Sequence, residues 1–145
     1  VLTIDYGYPA ERYYSPTRTQ GTLQCYYRHA HHNDPLIHIG QQDITAHVDF
    51  SALTRQGTAC GLETLGTLPQ ELFLMALGLG DRLSALSQLS GTDAATLRYA
   101  LQRREQLHQL INPLGLGQFT VLIQGKGLTT ATQKHLQGLT FPARA

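Results

Sequence analysis

The stretch Val1-Leu-Thr-Ile-Asp-Tyr-Gly7 decides the fold class. Its first four residues are apolar or β-branched, and Asp5 and Gly7 close the run, which is the pattern of a short buried strand. A strand with apolar residues on both faces is typical of a parallel sheet whose two sides are covered. Ligands of such sheets bind just beyond the carboxyl ends of the strands. We therefore expect Asp5, Tyr6 and Gly7 to border a binding cleft.

Strand and helix patterns alternate along the rest of the chain. The clearest later strand is Phe119–Ile123, and Cys60–Gly66 is a further candidate. Thr22–Arg28 has the composition of a short extended segment. Apolar residues at helical spacing predict a helix over Phe50–Thr58 and several helices within about residues 69–111. This order predicts an α/β protein with too few strands for a closed doubly wound sheet.

Three of the predicted helices begin with recognisable capping residues. The Asp49 carboxylate can accept hydrogen bonds from the first backbone N–H groups of the helix that follows it. Thr67 and Gln70 have the spacing of a capping box. Thr92 is a suitable cap for the long helix that follows it. A last short helix is expected at Thr130–Leu136.

Composition and charge argue against two functional classes. The 145 residues carry a formal net charge of +1, and only 14% of them are charged. Proteins that bind phosphate backbones carry clustered basic residues, so we do not expect a nucleic-acid partner. No apolar run approaches the roughly 18–20 residues that a membrane-spanning helix requires, so we do not expect a membrane partner.

Because the chain opens without Met on the apolar run Val1–Ile4, we expect it to be a piece of a longer polypeptide.

The stretch Gly40–Phe50 concentrates polar side chains that suit catalysis. It holds Asp43, Thr45, His47 and Asp49 at a junction between a loop and a helix, where functional residues are often found. Asp49 has a structural role as the expected helix cap. Asp43 has two interpretations: it can bind a cationic or amide substrate or orient His47, or it can hydrogen-bond its own backbone in a turn. The residues alone leave both interpretations open.

Two other groups of residues have a chemical and a structural interpretation. His29 and His31 match the first half of a metal-binding motif, but Asn33 and Asp34 break its second half, so a polar loop is favoured. Cys25 would share a face with His29 if that part of the chain is extended. This is an arrangement that suits a cysteine nucleophile and its base. A small buried side chain is the more frequent role of a single cysteine.

Three motifs resemble one protein family. They are Leu-Thr-Ile-Asp-Tyr-Gly at 2–7, Gly-Thr-Leu-Gln-Cys-Tyr-Tyr-Arg-His at 21–29, and Gly-x-x-Asp-Ile-Thr-Ala-His-Val-Asp-Phe-Ser-Ala-Leu at 40–53. Together they resemble the MidA-like family, whose members are S-adenosylmethionine-dependent methyltransferases of class I. The family includes a mitochondrial arginine methyltransferase that acts in complex I assembly. The similarity continues at 70–79 and 110–122.

The resemblance implies a fold. Residues 1–145 would be the carboxyl-terminal half of a single class I (Rossmann-like) methyltransferase domain. They would contain strands five to seven of the sheet and an added helical insertion at about 69–111. In that arrangement Val1–Ile4 is strand five, Cys60–Gly66 is strand six, and Phe119–Ile123 is the antiparallel last strand. The glycine-rich loop and the acidic residue that hold the cofactor would belong to a missing amino-terminal half of the same domain.

The resemblance also implies an activity. The cofactor of the intact enzyme would be S-adenosyl-L-methionine, and the partner would be a protein that is methylated on arginine. The isolated fragment is expected to be inactive, and a homodimer is left open. The protein would be cytoplasmic in a bacterium and mitochondrial in a eukaryote. The alternative is a non-catalytic module for protein binding or assembly, with the inserted helices as its docking surface.

Site residues follow from the matched motifs and from the chemistry of the acceptor. A carboxylate can bind a guanidinium and help to remove its charge, so Asp43 is the expected catalytic residue, with His47 as its helper. The cofactor-binding residues are unknown because their main motif is absent, and no metal is expected. The residues expected to bind substrate or to line the cleft are Asp5, Tyr6, Gly7, His29 and Thr45.

Overall fold

The computed structural model describes residues 1–89 and 93–140. Within these ranges the strands are β1 (Leu2–Asp5), β2 (Gly7–Tyr8), β3 (Gln24–Tyr27), β4 (Ala30–His32), β5 (Asp43–Thr45), β6 (Val48–Asp49), β7 (Glu63–Pro69) and β8 (Thr120–Gly125). The α-helices there are α1 (Ala10–Tyr13), α2 (Phe50–Ala59), α3 (Gln70–Ala76), α4 (Leu79–Gln88), α5 (Ala94–Leu110) and α6 (Thr130–Lys134). The predicted helix cap Thr92 lies outside the described residues.

Packing of the backbone divides the chain into two units, which we describe separately. The sheet unit comprises Val1–Asp5 and the chain from Gly57 onward. The hairpin unit comprises Tyr6–Gln56.

The sheet unit is built on a three-stranded sheet whose central strand is β8. The strand order is β1-β8-β7, and β8 runs antiparallel to both neighbours. The predicted strand at Phe119–Ile123 is thus confirmed as an antiparallel strand, shifted to Thr120–Gly125. Its Val121 and Leu122 expose 0% and 1% of their surface, because a central strand is covered by neighbours on each side. These two side chains anchor the core of the unit.

The first strand differs from the expectation of a parallel strand that is buried on both faces. It pairs with β8 antiparallel, and Leu2 and Ile4 expose 53% and 42% of their surface. The physical reason is that β1 lies at the edge of this sheet, with a single partner strand among the described residues. An edge strand with exposed apolar side chains is open to pairing with a further strand.

The strand that follows α2 begins three residues later than the predicted Cys60–Gly66. Gly61, with φ of 79°, ends α2 in a left-handed turn. The Leu62 N–H donates to the Gly57 carbonyl oxygen at 2.8 Å, as in a Schellman motif. The chain is released from the helix only after this turn, so the strand is β7 at Glu63–Pro69.

The predicted capping box at Thr67–Gln70 is wrong. Thr67 pairs with Leu122 in the ladder between β7 and β8, which extends the strand up to the first residue of α3. No side chain caps α3, whose preceding residue is Pro69. Gln70 instead faces inward and donates from Nε2 to the Leu110 carbonyl oxygen at 2.8 Å.

Helices are confirmed within the region 69–111, where they form α3, α4 and α5. Gly78, with φ of 87°, separates α3 from α4. Asp93 caps α5, and its carboxylate accepts from the N–H groups of Ala95 and Thr96 at 2.9 and 3.1 Å. The Thr96 hydroxyl and these N–H groups stabilise the charged carboxylate and lower the pKa of Asp93. The predicted helix at Thr130–Leu136 is confirmed as α6, which ends at Lys134.

The hairpin unit is built around β3, which lies between β4 and β5 in an antiparallel sheet. The extended segment predicted at Thr22–Arg28 is confirmed, although β3 ends at Tyr27. Arg28 and His29, with φ of 49° and 68°, form the two-residue turn into β4. The polar loop favoured for His29, His31, Asn33 and Asp34 is therefore wrong for His31, which lies in β4.

The start of α2 agrees with the sequence. Oδ1 of Asp49 accepts from the Ala52 N–H at 3.0 Å, which confirms Asp49 as the helix cap. The two residues before the helix form β6, which pairs in parallel with β2. The cap therefore fixes the end of the segment that carries the predicted site.

Candidate functional site

The segment that follows β1 meets the segment that precedes α2. Gly7 and Tyr8 pair with Val48 and Asp49, and the Val48 N–H donates to the Tyr6 carbonyl oxygen at 3.0 Å. A Cβ atom on Gly7 would overlap the Val48 carbonyl oxygen, so only glycine allows this close approach. The predicted site residues Tyr6 and Gly7 are thereby brought to the chain beside His47.

His47 lies among aromatic side chains. Its ring stacks on Tyr8, with 4.8 Å between centroids and 13° between planes. The Tyr6 ring meets it edge-on, with 5.2 Å between centroids. The His47 N–H of the backbone donates to the Thr22 hydroxyl at 3.2 Å, which fixes the residue from the other side. Nδ1 of the ring is buried and has no hydrogen-bond partner among the described residues.

Two arginine side chains contact the ring of the same tyrosine. The guanidinium carbons of Arg12 and Arg18 lie 4.3 and 4.5 Å from the centroid of the Tyr8 ring. Both contacts have the geometry of cation–π interactions. The sequence had not singled out Tyr8, Arg12 or Arg18. The spacing of Tyr8 and Arg12, four residues apart at the entry to a short helix, was the available signal.

A polar cavity of about 320 Å3 adjoins His47. Arg18 is the charged residue among those that line it, and the remaining lining groups are mostly hydroxyls and amides. They are Thr17, Thr19, Gln20, Gly21, Thr22, Leu23, Gln24 and Asn33. Such a cavity suits a small polar group that can accept several hydrogen bonds.

The other predicted site residues have the following places in their own units. Asp43 is exposed on β5, where it pairs with Tyr26 of β3. The Thr45 hydroxyl donates to the Gln24 carbonyl oxygen at 3.2 Å, which gives it a structural role in the same sheet. His29 is exposed in the turn between β3 and β4. Asp5 belongs to the sheet unit, where it pairs with Thr120.

Asp43 does not orient His47 through Nδ1 of the ring. Nδ1 of His47 has no hydrogen-bond partner among the described residues, so no carboxylate holds the ring through that atom. The alternative of a turn residue is also wrong, because Asp43 lies in a strand. The ring contacts of Tyr6 and Tyr8 position His47 instead.

The nucleophile interpretation of Cys25 fails. The side chain is 0% exposed in the middle of β3, where a substrate cannot reach it. The chain turns at His29, so this residue does not continue the face of the strand on which Cys25 lies. Cys25 is a core residue of the hairpin unit.

In residues 1–89 and 93–140, no three or more His, Cys, Asp or Glu side chains are placed to hold a metal ion together. Over the same ranges, no helix combines the length and the apolar character needed to cross a membrane.

Comparisons with known proteins place the chain among methyltransferases. Residues 1–68 match a family described as "Putative S-adenosyl-L-methionine-dependent methyltransferase". A crystal structure from Burkholderia thailandensis, described as a "likely methyl transferase" and bound to S-adenosyl-homocysteine, matches 88% of the chain at 37% identity and a TM-score of 0.75. A second structure from that organism matches 91% of the chain at 37% identity and a TM-score of 0.77. These similarities support a MidA-like S-adenosylmethionine-dependent methyltransferase.

Among curated members of the family, the mouse mitochondrial protein arginine methyltransferase NDUFAF7 is 34% identical over 121 residues, which cover 81% of this chain and 24% of the mouse protein. The rat protein of the same name is also 34% identical, over 117 residues. The chain covers 32% and 34% of the two solved bacterial chains. It thus spans about a quarter of these curated relatives and a third of these structures.

In residues 1–89 and 93–140, no junction between a strand and a helix carries the full glycine fingerprint of a class I cofactor site. That site needs a glycine-rich loop that follows a strand and opens a helix. Between β8 and α6, Gly125 and Gly127 are followed by Thr130 where the fingerprint has its third glycine, and the junctions Asp49–Phe50 and Pro69–Gln70 contain no glycine. S-adenosylmethionine is the methyl donor named in the description of the matching family.

Proposed function

We propose that this chain forms the substrate side of a MidA-like methyltransferase that modifies an arginine of a protein. The observation that carries the proposal is the different use of two carboxylates in the 40–53 motif. Asp49 is engaged as a helix cap, whereas Asp43 is exposed on an edge strand. Asp43 is therefore the carboxylate of that motif that an acceptor can reach.

The chemistry of a guanidinium acceptor suits an exposed carboxylate. A carboxylate binds a guanidinium through two parallel charge-assisted hydrogen bonds, which fix the orientation of the acceptor nitrogen. It can also take the proton that the nitrogen loses on methylation. The cofactor supplies the methyl group, and the role of Asp43 is to hold the acceptor in line for it.

The backbone around Asp43 suits a protein substrate. β5 is an edge of the sheet β4-β3-β5, so one side of its backbone is open to an extended peptide. Ile44 and Ile39 expose 55% and 74% of their surface near this edge in sequence. An added strand would place an arginine side chain on the same face as Asp43.

In this proposal, a strand of the missing half of the domain pairs with the open edge of β1. Its open edge and its exposed Leu2 and Ile4 support the proposal that β1 is an inner strand of a larger sheet. In that sheet β1, β7 and β8 are strands five, six and seven, and the α3–α5 region is an insertion. The cofactor-binding residues then lie on the strands that precede β1.

Methyl transfer by the complete enzyme, meaning this chain joined to its cofactor-binding half, tests the proposal. Transfer of label from S-adenosylmethionine to an arginine peptide is measured for the wild type and for Asp43→Asn. We expect kcat/KM to fall by at least about 100-fold, because asparagine can neither carry the charge nor take the proton. Asp34→Asn is the matched control, since Asp34 is an exposed carboxylate of the same unit. Full activity of Asp43→Asn refutes the assigned role.

The exposed apolar residues also favour a second candidate, a docking module without catalysis. Leu36 and Ile39, three residues apart in sequence, expose 76% and 74% of their surface, and a partner that covered them would bury apolar area. A complete enzyme that binds its protein partner but transfers no methyl group would support this candidate over the first.

A further inference from the structure

We propose that Arg12, Arg18 and the cavity beside His47 bind an acidic side chain of the protein substrate. The inference rests on the proposed function, because it assumes that a protein is the substrate. It adds a rule of sequence preference: the methylated arginine has aspartate or glutamate near it.

The first argument is an excess of positive charge. The guanidinium groups of Arg12 and Arg18 contact the same ring and have no ion-pair partner within residues 1–89 and 93–140. Arg18 also lines the cavity beside His47, so an anion bound there would meet its positive charge. Arginine is also the side chain best suited to bind a carboxylate in a fixed orientation.

The carboxylates nearest in sequence or register do not fill this role. Asp49 is the register partner of Tyr8, but its Oδ1 caps α2. Glu11 is exposed beside Arg12 on α1, without an ion pair to it. The residues that line the cavity include no aspartate or glutamate. The positive charge is therefore available to a ligand.

The second argument is the chemistry of the cavity wall. The hydroxyl groups of Thr17 and Thr19 and the amide of Asn33 can donate hydrogen bonds to a carboxylate beside Arg18. Nδ1 of His47 is buried without a partner, and an unpaired buried polar atom is costly unless a ligand or water satisfies it. Together these groups can bind a ligand that accepts hydrogen bonds.

The third argument is size. About 320 Å3 lies at the lower limit of the volumes found for sites of small molecules. One side chain of a docked peptide fits a cavity of this size better than a whole nucleoside cofactor does. Since the same groups repel a guanidinium, the cavity selects the neighbour of the methylated arginine and not the arginine itself.

Peptide binding to the complete enzyme tests the inference. The probes are two labelled peptides of equal length, Gly-Glu-Glu-Arg-Gly-Gly and Gly-Gln-Gln-Arg-Gly-Gly, whose affinities are measured by fluorescence anisotropy at low salt. We expect the glutamate peptide to bind about fivefold more tightly, and this advantage to shrink as salt is added. Arg18→Gln and Arg12→Gln should each reduce the advantage, whereas the control Arg98→Gln, on the exposed face of α5, should leave it unchanged.

Equal affinity of the two peptides, or an advantage that survives both substitutions, overturns the inference. Displacement of the glutamate peptide by S-adenosyl-homocysteine would assign the cavity to the cofactor and would overturn it too. Thermal unfolding of each variant shows that a lost advantage does not come from a lost fold. If the glutamate peptide binds as expected but is not methylated, the proposed function fails and the acidic site stands. If both peptides are methylated with equal kcat/KM and bind equally, the proposed function stands and the acidic site fails.

Discussion

Replacing Gly7 by alanine should separate the two segments that form the site. The added Cβ would overlap the Val48 carbonyl oxygen and would lie 2.9 Å from Cε2 of Phe50. β6 must then move away from β2, which weakens the hydrogen bond from the Val48 N–H to the Tyr6 carbonyl oxygen. Overpacking of this kind costs about 2 kcal/mol. For a chain of this length, that lowers the midpoint of thermal unfolding by roughly 6 °C.

Circular dichroism during heating measures this midpoint, and Gly80→Ala is the matched control. Gly80 lies inside α4, where the nearest atom to an added Cβ is Cε of Met75 at 3.4 Å. Alanine is favoured over glycine in a helix by about 0.5–1 kcal/mol, so the control should raise the midpoint slightly. An unchanged midpoint for Gly7→Ala, or equal shifts for the two variants, would show that the close approach at Gly7 is not a constraint.

Three further predictions concern stability. Removal of the α2 cap by Asp49→Ala should cost about 1 kcal/mol in urea unfolding, whereas Asp49→Asn should cost little, because asparagine also caps helices. Truncation of the core by Leu122→Ala should cost about 2–5 kcal/mol, and a loss below about 1 kcal/mol would contradict the central place of β8. The last prediction is a dependence on pH. Since the folded state lowers the pKa of Asp93 from 3.8, its stabilising effect is present above that pH and is lost as the pH falls through the lowered value. Helicity measured between neutral and strongly acidic pH should show this loss, and Asp93→Asn, which cannot titrate, should remove that component of it.

The periodic parts of the sequence predicted the elements that depend on local forces. The Asp49 cap, the helices within 69–111 and the strand around Val121 appear because capping and apolar spacing act over a few residues. The resemblance implied that Tyr6, Gly7 and His47 belong to one site, and the segments that carry them lie together at β2 and β6. The rule for strand ends gave no support to this, because it assumed a parallel strand and β1 is antiparallel.

The remaining errors have a common physical cause in pairing between distant segments. Asp43 was expected in a loop, but pairing with Tyr26 draws it into β5. Thr67 was expected to cap a helix, but pairing with Leu122 keeps it in β7. Local propensity is overridden where a strand partner is available. The sequence did not indicate that Arg12 and Arg18 act together, because six residues separate them. Their common contact with the Tyr8 ring arises only in the folded chain.

The measurement that tests the central claim most directly is the location of the transferred methyl group. The complete enzyme is incubated with S-adenosylmethionine and a protein acceptor, and the product is analysed by tandem mass spectrometry. A methyl group on an arginine guanidinium, lost in Asp43→Asn and retained in Asp34→Asn, is the predicted result. A methyl group on lysine or on a carboxylate, or one that persists in Asp43→Asn, would contradict the account.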